Sequence, residues 1–233
     1  MIVSTEAIVL HSRRYGDSSR IVTLYTRDLG KVSVVAKGAR TLKSSFGAAL
    51  EPLGFIRCTI YHGRNRDLHT LSAAETLATR RRLGGSLDLL RAGLLMCDSL
   101  VRTQAPEQPD GRVFELLKES LEQLEITEES HAYSLSLSMR LSLAEIMGFG
   151  LPASPSPMGS VVRIDVTDGV ARRDGEEGLR LSHTVYSHVL TALECDTTEI
   201  AEQDQMELES FISLYFSHHL GKRITSSAFN ALR

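Results

Sequence analysis

The chain has no tryptophan, only three cysteines and no long apolar run. A membrane helix needs roughly 18 or more consecutive apolar residues, so no span of that kind is expected. Cys58, Cys97 and Cys195 stand far apart with no CxxC pair. That sparse, odd count excludes a disulfide framework and points to a reducing compartment. The opening residues Met1-Ile2-Val3-Ser4-Thr5-Glu6 lack a basic stretch followed by an apolar one. No secretory signal peptide is therefore expected, and the cytoplasm is the expected location. What remains is 233 residues, 42% of them hydrophobic, with a mean hydropathy of −0.07. That is enough for one large domain or two small ones with a real core, and neither composition nor charge resembles a disordered segment.

The net charge of −3 conceals an asymmetry. Residues 1–82 carry 14 Lys or Arg against 6 Asp or Glu, a surplus of eight positive charges. Residues 83–233 carry 12 against 23, a deficit of eleven. Chance segregation of surface charge can produce such halves, but a basic front and an acidic rear suit two different physical tasks better.

The basic front reads as short strands. Segments 6–10, 20–26, 31–37, 53–61 and 67–71 are rich in β-branched and aromatic residues, and turn signals separate them (Tyr15-Gly16-Asp17-Ser18, Asp28-Leu29-Gly30, His62-Gly63-Arg64-Asn65). Five strands in about 75 residues, with no long helix between them, predict a small antiparallel barrel, because closure removes exposed edges. The rear is helical. Segment 87–100 suits a helix, and Val113, Leu116, Leu117, Leu121 and Leu124 form one apolar face behind a plausible Asp110 N-cap. A third helix runs over 203–220 and stops at Gly221. Segment 134–143 alternates Ser or Arg with Leu or Met and is a strand by periodicity alone. Residues 150–160 read as a loop, 161–166 with 169–172 as a hairpin, and 194–204 as a polar connection.

On this scheme eight of the front half's cations cluster at three loops. Arg13, Arg14 and Arg20 flank the first turn beside Tyr15. Lys37, Arg40 and Lys43 follow the third strand, near Phe46. His62, Arg64 and Arg66 fill the last turn beside Tyr61. In five-stranded OB barrels nucleic acid lies on strands two and three, between the first and last of these loops. Cations there neutralise phosphates, and exposed rings stack on unpaired bases. Solvated loop charge is the plainer alternative, and Tyr25, Phe55 and Tyr61 equally suit the core, Phe55 most of all.

Other chemistries find no support. Gly38-Ala39-Arg40-Thr41-Leu42-Lys43-Ser44 lacks the glycine before its lysine and is one residue short of a phosphate-binding loop. His183 and His188 are five apart and His218 and His219 adjacent, neither of which is the i, i+4 spacing of a helical zinc pair; His218 or His219 reads as a surface residue near a helix end. Glu125, Glu128 and Glu129 read as a solvated helix end, and no G-x-S-x-G elbow occurs. No nucleophile, base and orienting group assemble, so an enzyme is not expected.

Several of these segments are recognisable together. Thr5-Glu6-Ala7-Ile8-Val9-Leu10, Tyr15-Gly16-Asp17-Ser18-Ser19-Arg20-Ile21, Val35-Ala36-Lys37-Gly38-Ala39-Arg40 and Phe46-Gly47-Ala48-Ala49-Leu50-Glu51-Pro52 resemble the bacterial RecO family of DNA repair proteins. The resemblance continues through Asp67-Leu68-His69-Thr70-Leu71, Met147-Gly148-Phe149-Gly150-Leu151-Pro152 and His218-His219-Leu220-Gly221-Lys222-Arg223. It is dense over the first 75 residues and rests mainly on layout beyond them.

The resemblance implies an α+β chain: a five-stranded OB-fold barrel over 1–80, then a mainly helical domain over 81–233 with a small hairpin insertion. It implies a helix over 134–143, against the periodicity. It implies a cytoplasmic, nucleoid-associated recombination mediator without catalysis, which binds single- and double-stranded DNA and anneals complementary strands. The family works with RecR, in many bacteria RecF, and the C-terminal tail of the single-strand-binding protein SSB, so that RecA can load. Under that reading Arg13, Arg14, Arg20, Lys37, Arg40, Lys43, Arg64 and Arg66 are expected at phosphates, with Arg20 able instead to pair with Asp17 or Glu51. The SSB tail is acidic and apolar, which directs attention to Tyr215, Lys222 and Arg223 on the helical domain. Many relatives carry a four-cysteine zinc site after the position of Pro152, but residues 153–181 hold no cysteine, and neither metal nor cofactor is expected. The rival readings are a protein-binding adaptor with a basic barrel and, further off, a DNA-processing enzyme.

Overall fold

The computed structural model describes residues 1–42, 44–63, 66–154 and 160–221. Two compact units emerge, one of Met1–Gly85 with Cys97–Leu121, the other of Ser86–Met96 with the chain from Glu122 onward.

The first unit is built on a closed barrel of five strands, β1 (Ile2–Tyr15), β2 (Ser19–Thr26), β3 (Gly30–Ala36), β4 (Phe55–Tyr61) and β5 (Leu68–Ala78), in the order β1-β2-β3-β5-β4. Alternation along the strands fills it: Ala7, Val9, Val22, Leu24, Val32, Val34, Ile56, Cys58 and Ile60 point into one core. Three hairpin neighbours and the closing β1–β4 pair are antiparallel, as expected for the barrel as a whole, but β3 and β5 run parallel. The long connection between β3 and β4 permits this reversal. Two strands outrun their expected limits. β1 continues through the exposed residues 11–15, with an irregularity between Val9 and His11, and β5 continues along small residues that pair back onto β4.

A short helix, α1 (Arg81–Gly85), follows the barrel, and then α2 (Leu87–Thr103) and α3 (Gly111–Leu124). Between the latter two, residues 104–110 form a strap across the barrel's outer wall. Glu107 N–H donates to the Lys31 carbonyl at 2.9 Å, Lys31 Nζ to the Val101 carbonyl at 2.6 Å, and Arg27 pairs with Glu115 and Glu6. The expected Asp110 cap sits at the start of α3, where its carboxylate accepts from Arg112 N–H at 2.9 Å.

The strap approaches Gly30 so closely that a Cβ there would lie 2.4 Å from the Gln108 carbonyl oxygen, and Gly30 has φ +67°. Gly30→Ala combines a left-handed alanine with a backbone clash and is expected to cost about 2–4 kcal/mol. Gly38, at φ +69° with nothing near its missing Cβ, isolates the first contribution. Gly38→Ala is expected to cost about 1 kcal/mol. Paired urea titrations of the two variants check the difference, and equal losses contradict the tight strap.

The second unit contains a 3₁₀ turn (Glu129–His131), α4 (Ala132–Ile146), a three-stranded sheet of β6 (Val161–Ile164), β7 (Ala171–Arg173) and β8 (Leu179–Ser182) in the order β7-β6-β8, then α5 (His183–Leu193) and α6 (Glu202–Leu220). The expected hairpin is thus two strands of three. Segment 134–143 is helical although its pattern alternates. Nearly every residue of α4 is buried, so no solvent face imposes a period of 3.6. Its serines are small enough for the interior and are satisfied there: Ser136 Oγ donates to the Tyr133 carbonyl, Ser138 Oγ to the Ala192 carbonyl, and Ser134 Oγ accepts from Thr198 N–H. α6 ends at Gly221 in the left-handed region, φ +60°, as the sequence predicts.

Candidate nucleic-acid interface

The β1–β2 hairpin projects the first cluster of cations. Cross-strand register places Arg13 opposite Ile21 and, one strand further, Val35, while Arg14 lies opposite Arg20 and Ala36. Successive residues of a strand face opposite sides, so the hairpin presents a guanidinium on each face. Arg13 and Arg14 are exposed, and among the described residues neither has a carboxylate partner. Like charges directly opposite each other destabilise a strand pair. Arg20 relieves that repulsion by pairing with Glu51 at 2.9 Å and donating to Ser12 Oγ at 3.2 Å.

The loop after β3 returns to the same place. Arg40 N–H donates to the Ser18 carbonyl at 2.8 Å and its Nη1 to the Gly16 carbonyl at 3.1 Å. Two loops far apart in sequence are thereby pinned together, and exposed Lys37 and Arg40 join Arg13 and Arg14 at one end of the barrel. Asp17 is exposed in the same turn. Arg66 is exposed beyond the β4–β5 turn, its stem against Gly63. Lys43 and Arg64 lie outside the described residues, as do Lys222 and Arg223.

The barrel wall between these loops is only partly open. The outward register positions of β2 and β3 pair as Ile21 with Val35, Thr23 with Ser33 and Tyr25 with Lys31. The last pair lies under the strap: Tyr25 is fully buried, its hydroxyl 3.5 Å from the Asp110 carbonyl, and burial pushes the phenol up to about 12. On the β1–β2 turn side of the strap, Thr23, Ser33 and Val35 are partly exposed and Ile21 is buried. Phe55 and Phe46 are buried, whereas Tyr15 and Tyr61 are about half exposed and can present a ring face to an unpaired base.

Tyr215 departs from its expected place. Its ring is 1% exposed among Phe149, Phe211 and His219, and its hydroxyl donates to the Phe149 carbonyl, so it packs the core and offers no surface to a partner. Of the two histidines at the end of α6, His218 is exposed, as expected for one of them, and His219 stacks on Phe149 with ring centroids 4.8 Å apart. Burial pushes the Cys58 and Cys97 thiols up to about 12, which keeps them protonated and unreactive.

One group of three donors, His62, His69 and Glu107, is close enough among the described residues to hold a metal ion. The two histidines are seven residues apart on either side of a turn, and the glutamate is 38 residues further on, so no sequence motif joins them.

Residues 1–80 match the family model described as "Recombination protein O N terminal". The chain is 39% identical over 147 residues to the DNA repair protein RecO of Salinibacter ruber, covering 63% of this chain and 56% of that one. It is 39% identical over 145 residues to the RecO of Rubrobacter xylanophilus, covering 62% and 57%, and 30% identical over 148 residues to that of Bacillus pumilus, covering 64% and 56%. The aligned region thus spans little more than half the length of these curated relatives. A solved asparaginyl-tRNA synthetase from Entamoeba histolytica, at 12% identity and a TM-score of 0.26 over 71% of this chain and 36% of that one, bears on neither fold nor function. With a closed five-stranded barrel over the matched segment, the N-terminal part of the chain carries the fold and sequence of the RecO N-terminal domain, and the chain as a whole is similar to RecO DNA repair proteins.

Proposed function

We propose that this protein is a DNA repair and recombination mediator that binds single- and double-stranded DNA through the cationic end of its barrel, anneals complementary strands and helps RecA load on SSB-coated DNA. The observation that carries the reading is the pinning of the 37–42 loop onto the β1–β2 turn, which gathers Arg13, Arg14, Lys37 and Arg40, none of them in an ion pair among the described residues. Lys43 belongs to the loop after β3 by sequence, and Arg64 and Arg66 in the β4–β5 turn are proposed as a separate set of phosphate contacts. Arg20 contributes by holding the hairpin to Glu51. Phosphate contacts of this kind carry no sequence information, which suits a protein that must act on any strand.

Annealing follows from the same charges. Two phosphate chains repel, and a cationic surface that engages one of them lowers the cost of bringing up the second. The reaction makes and breaks no covalent bond, so a non-catalytic protein suffices. Residues 1–80 are assigned to DNA, and the acidic segment 81–233 to protein partners: RecR, the SSB tail and, where present, RecF. Lys222 and Arg223 are, by sequence, the cations proposed for the acidic SSB tail. Such a protein works at the nucleoid in the cytoplasm.

The test is annealing of two fluorescently labelled complementary strands, bare and SSB-coated. The protein is expected to accelerate pairing, and Arg13→Glu/Arg14→Glu/Lys37→Glu/Arg40→Glu to return it to the spontaneous rate. No acceleration by the unmodified protein on bare strands contradicts the proposal. SSB-tail binding without DNA binding makes the protein an adaptor.

A further inference from the structure

Three side chains from three separate stretches of the first unit meet at the rim of the barrel. His62 follows β4, His69 lies on β5, and Glu107 lies on the strap. His69 Nε2 is 2.7 Å and His62 Nε2 3.2 Å from the same carboxylate oxygen, Oε1 of Glu107. The imidazole rings stack with centroids 4.2 Å apart. The three donor atoms lie within 4.8 Å of one another.

Each donor is held by its own backbone. His69 is opposite Val34 in the β3–β5 ladder, on the core side, and its side chain is 1% exposed. His62 is clasped by Met1, whose carbonyl accepts its N–H at 2.8 Å and whose amino group donates to its carbonyl at 2.9 Å. Glu107 takes φ +56°, a conformation that side chains seldom adopt, and its own N–H is engaged by Lys31. Its carboxylate is 43% exposed, leaving one side open to water.

We propose that His62 Nε2, His69 Nε2 and the Glu107 carboxylate bind one divalent transition-metal ion of the zinc class. Two imidazoles and a carboxylate form a borderline donor set that suits such an ion and disfavours calcium or magnesium, which take oxygen ligands. Bonds of about 2.0–2.2 Å around a tetrahedral ion set ligand atoms about 3.3 Å apart. His62 Nε2 is already near that distance from Glu107 Oε1, His69 Nε2 at 2.7 Å must move out by roughly half an ångström, and the two imidazole nitrogens, within 4.8 Å of each other, must settle at the same spacing. The open side of Glu107 admits a water molecule as fourth ligand.

Binding has an identifiable cost. His69 Nδ1 now accepts from Gly63 N–H at 3.3 Å. An ion on Nε2 leaves the neutral ring's proton on Nδ1, and that contact is given up. At 3.3 Å it is beyond the usual hydrogen-bond range, and Gly63 is near enough the surface for its N–H to turn to water. The ion would then fasten the strap to the β4–β5 turn, a structural role independent of whether the barrel binds DNA.

The test is titration of the full chain, freed of metal by chelation, with Co²⁺, read by visible d–d absorption, followed by displacement with Zn²⁺. One equivalent is expected to bind, and His62→Gln and Glu107→Gln each to weaken it by about 100-fold or more. Circular dichroism confirms that the variants are folded; if Glu107→Gln is not, His62→Gln carries the test alone. No Co²⁺ or Zn²⁺ binding by the unmodified chain overturns the proposal. So does binding that folded variants retain, which places the ion elsewhere.

Discussion

Glu209→Leu is expected to destabilise the second unit by about 3–5 kcal/mol, among the largest losses available to a single substitution in this chain. Glu209 on α6 accepts Arg140 Nη1 at 2.6 Å and the Tyr133 hydroxyl at 2.8 Å, and both charged side chains are almost entirely buried. Arg140 also donates from Nε to the Ser136 carbonyl of its own helix. Burial by itself would lower the guanidinium's pKa, but the Glu209 carboxylate prevails and raises it, so the arginine stays charged in the interior. Removing the carboxylate leaves that charge with no counterion and no water. Arg140→Met/Glu209→Leu removes both charges and is expected to recover most of the loss, because two apolar side chains of similar size need no pairing. Denaturant titrations of the two single variants and the double variant close the cycle. Additive losses would mean that the two residues act independently.

That network also marks where sequence reading reaches its limit in the second unit. A lone arginine inside a run of Leu, Met and Ser gives no local sign that it is buried, and its partner is 69 residues away. The strict alternation around it describes a strand correctly in isolation. Only the burial of α4 on every side explains why the pattern carries no helical period. The barrel is different. Its strands have one wet and one dry face, so alternation, turn glycines and β-branched residues locate them directly. What the sequence could not convey there was the parallel pairing of β3 with β5 and the strap, since both are set by contacts between distant segments.

The candidate interface was legible in kind. Lys37 and Arg40 stand in the loop that the strand pattern delimits after β3, whereas Arg13 and Arg14, which the pattern assigns to a turn, lie on the extended end of β1. Their gathering depends on hydrogen bonds from Arg40 to the Gly16 and Ser18 carbonyls, which no spacing rule foretells. Glu51 was visible as a possible partner of Arg20 and is its partner. Tyr215 was misplaced for an ordinary reason: an aromatic near a helix end looks the same in sequence whether it faces solvent or core.

The second large effect concerns DNA. Each phosphate contact made by a lysine or arginine releases counterions, so the logarithm of affinity falls linearly with the logarithm of salt, by about 0.7 per contact for single strands. Losing four contacts lowers that slope by about 3, and reversing the charges adds repulsion, for an overall loss of about 100-fold or more near physiological salt. Because Arg14 already faces Arg20 across the hairpin, the substitutions relieve a like-charge pair and leave the barrel core untouched. Arg173→Glu/Arg180→Glu, on exposed positions of the small sheet, makes the same kind of charge change in the second unit and is expected to have little effect.

The most direct measurement is fluorescence anisotropy of a labelled single-stranded oligonucleotide over a salt series, for the unmodified protein and for Arg13→Glu/Arg14→Glu/Lys37→Glu/Arg40→Glu. Salt-sensitive binding that the quadruple variant loses, while remaining folded, is the predicted result. Undiminished binding with an unchanged salt slope would contradict the assignment of this end of the barrel to DNA.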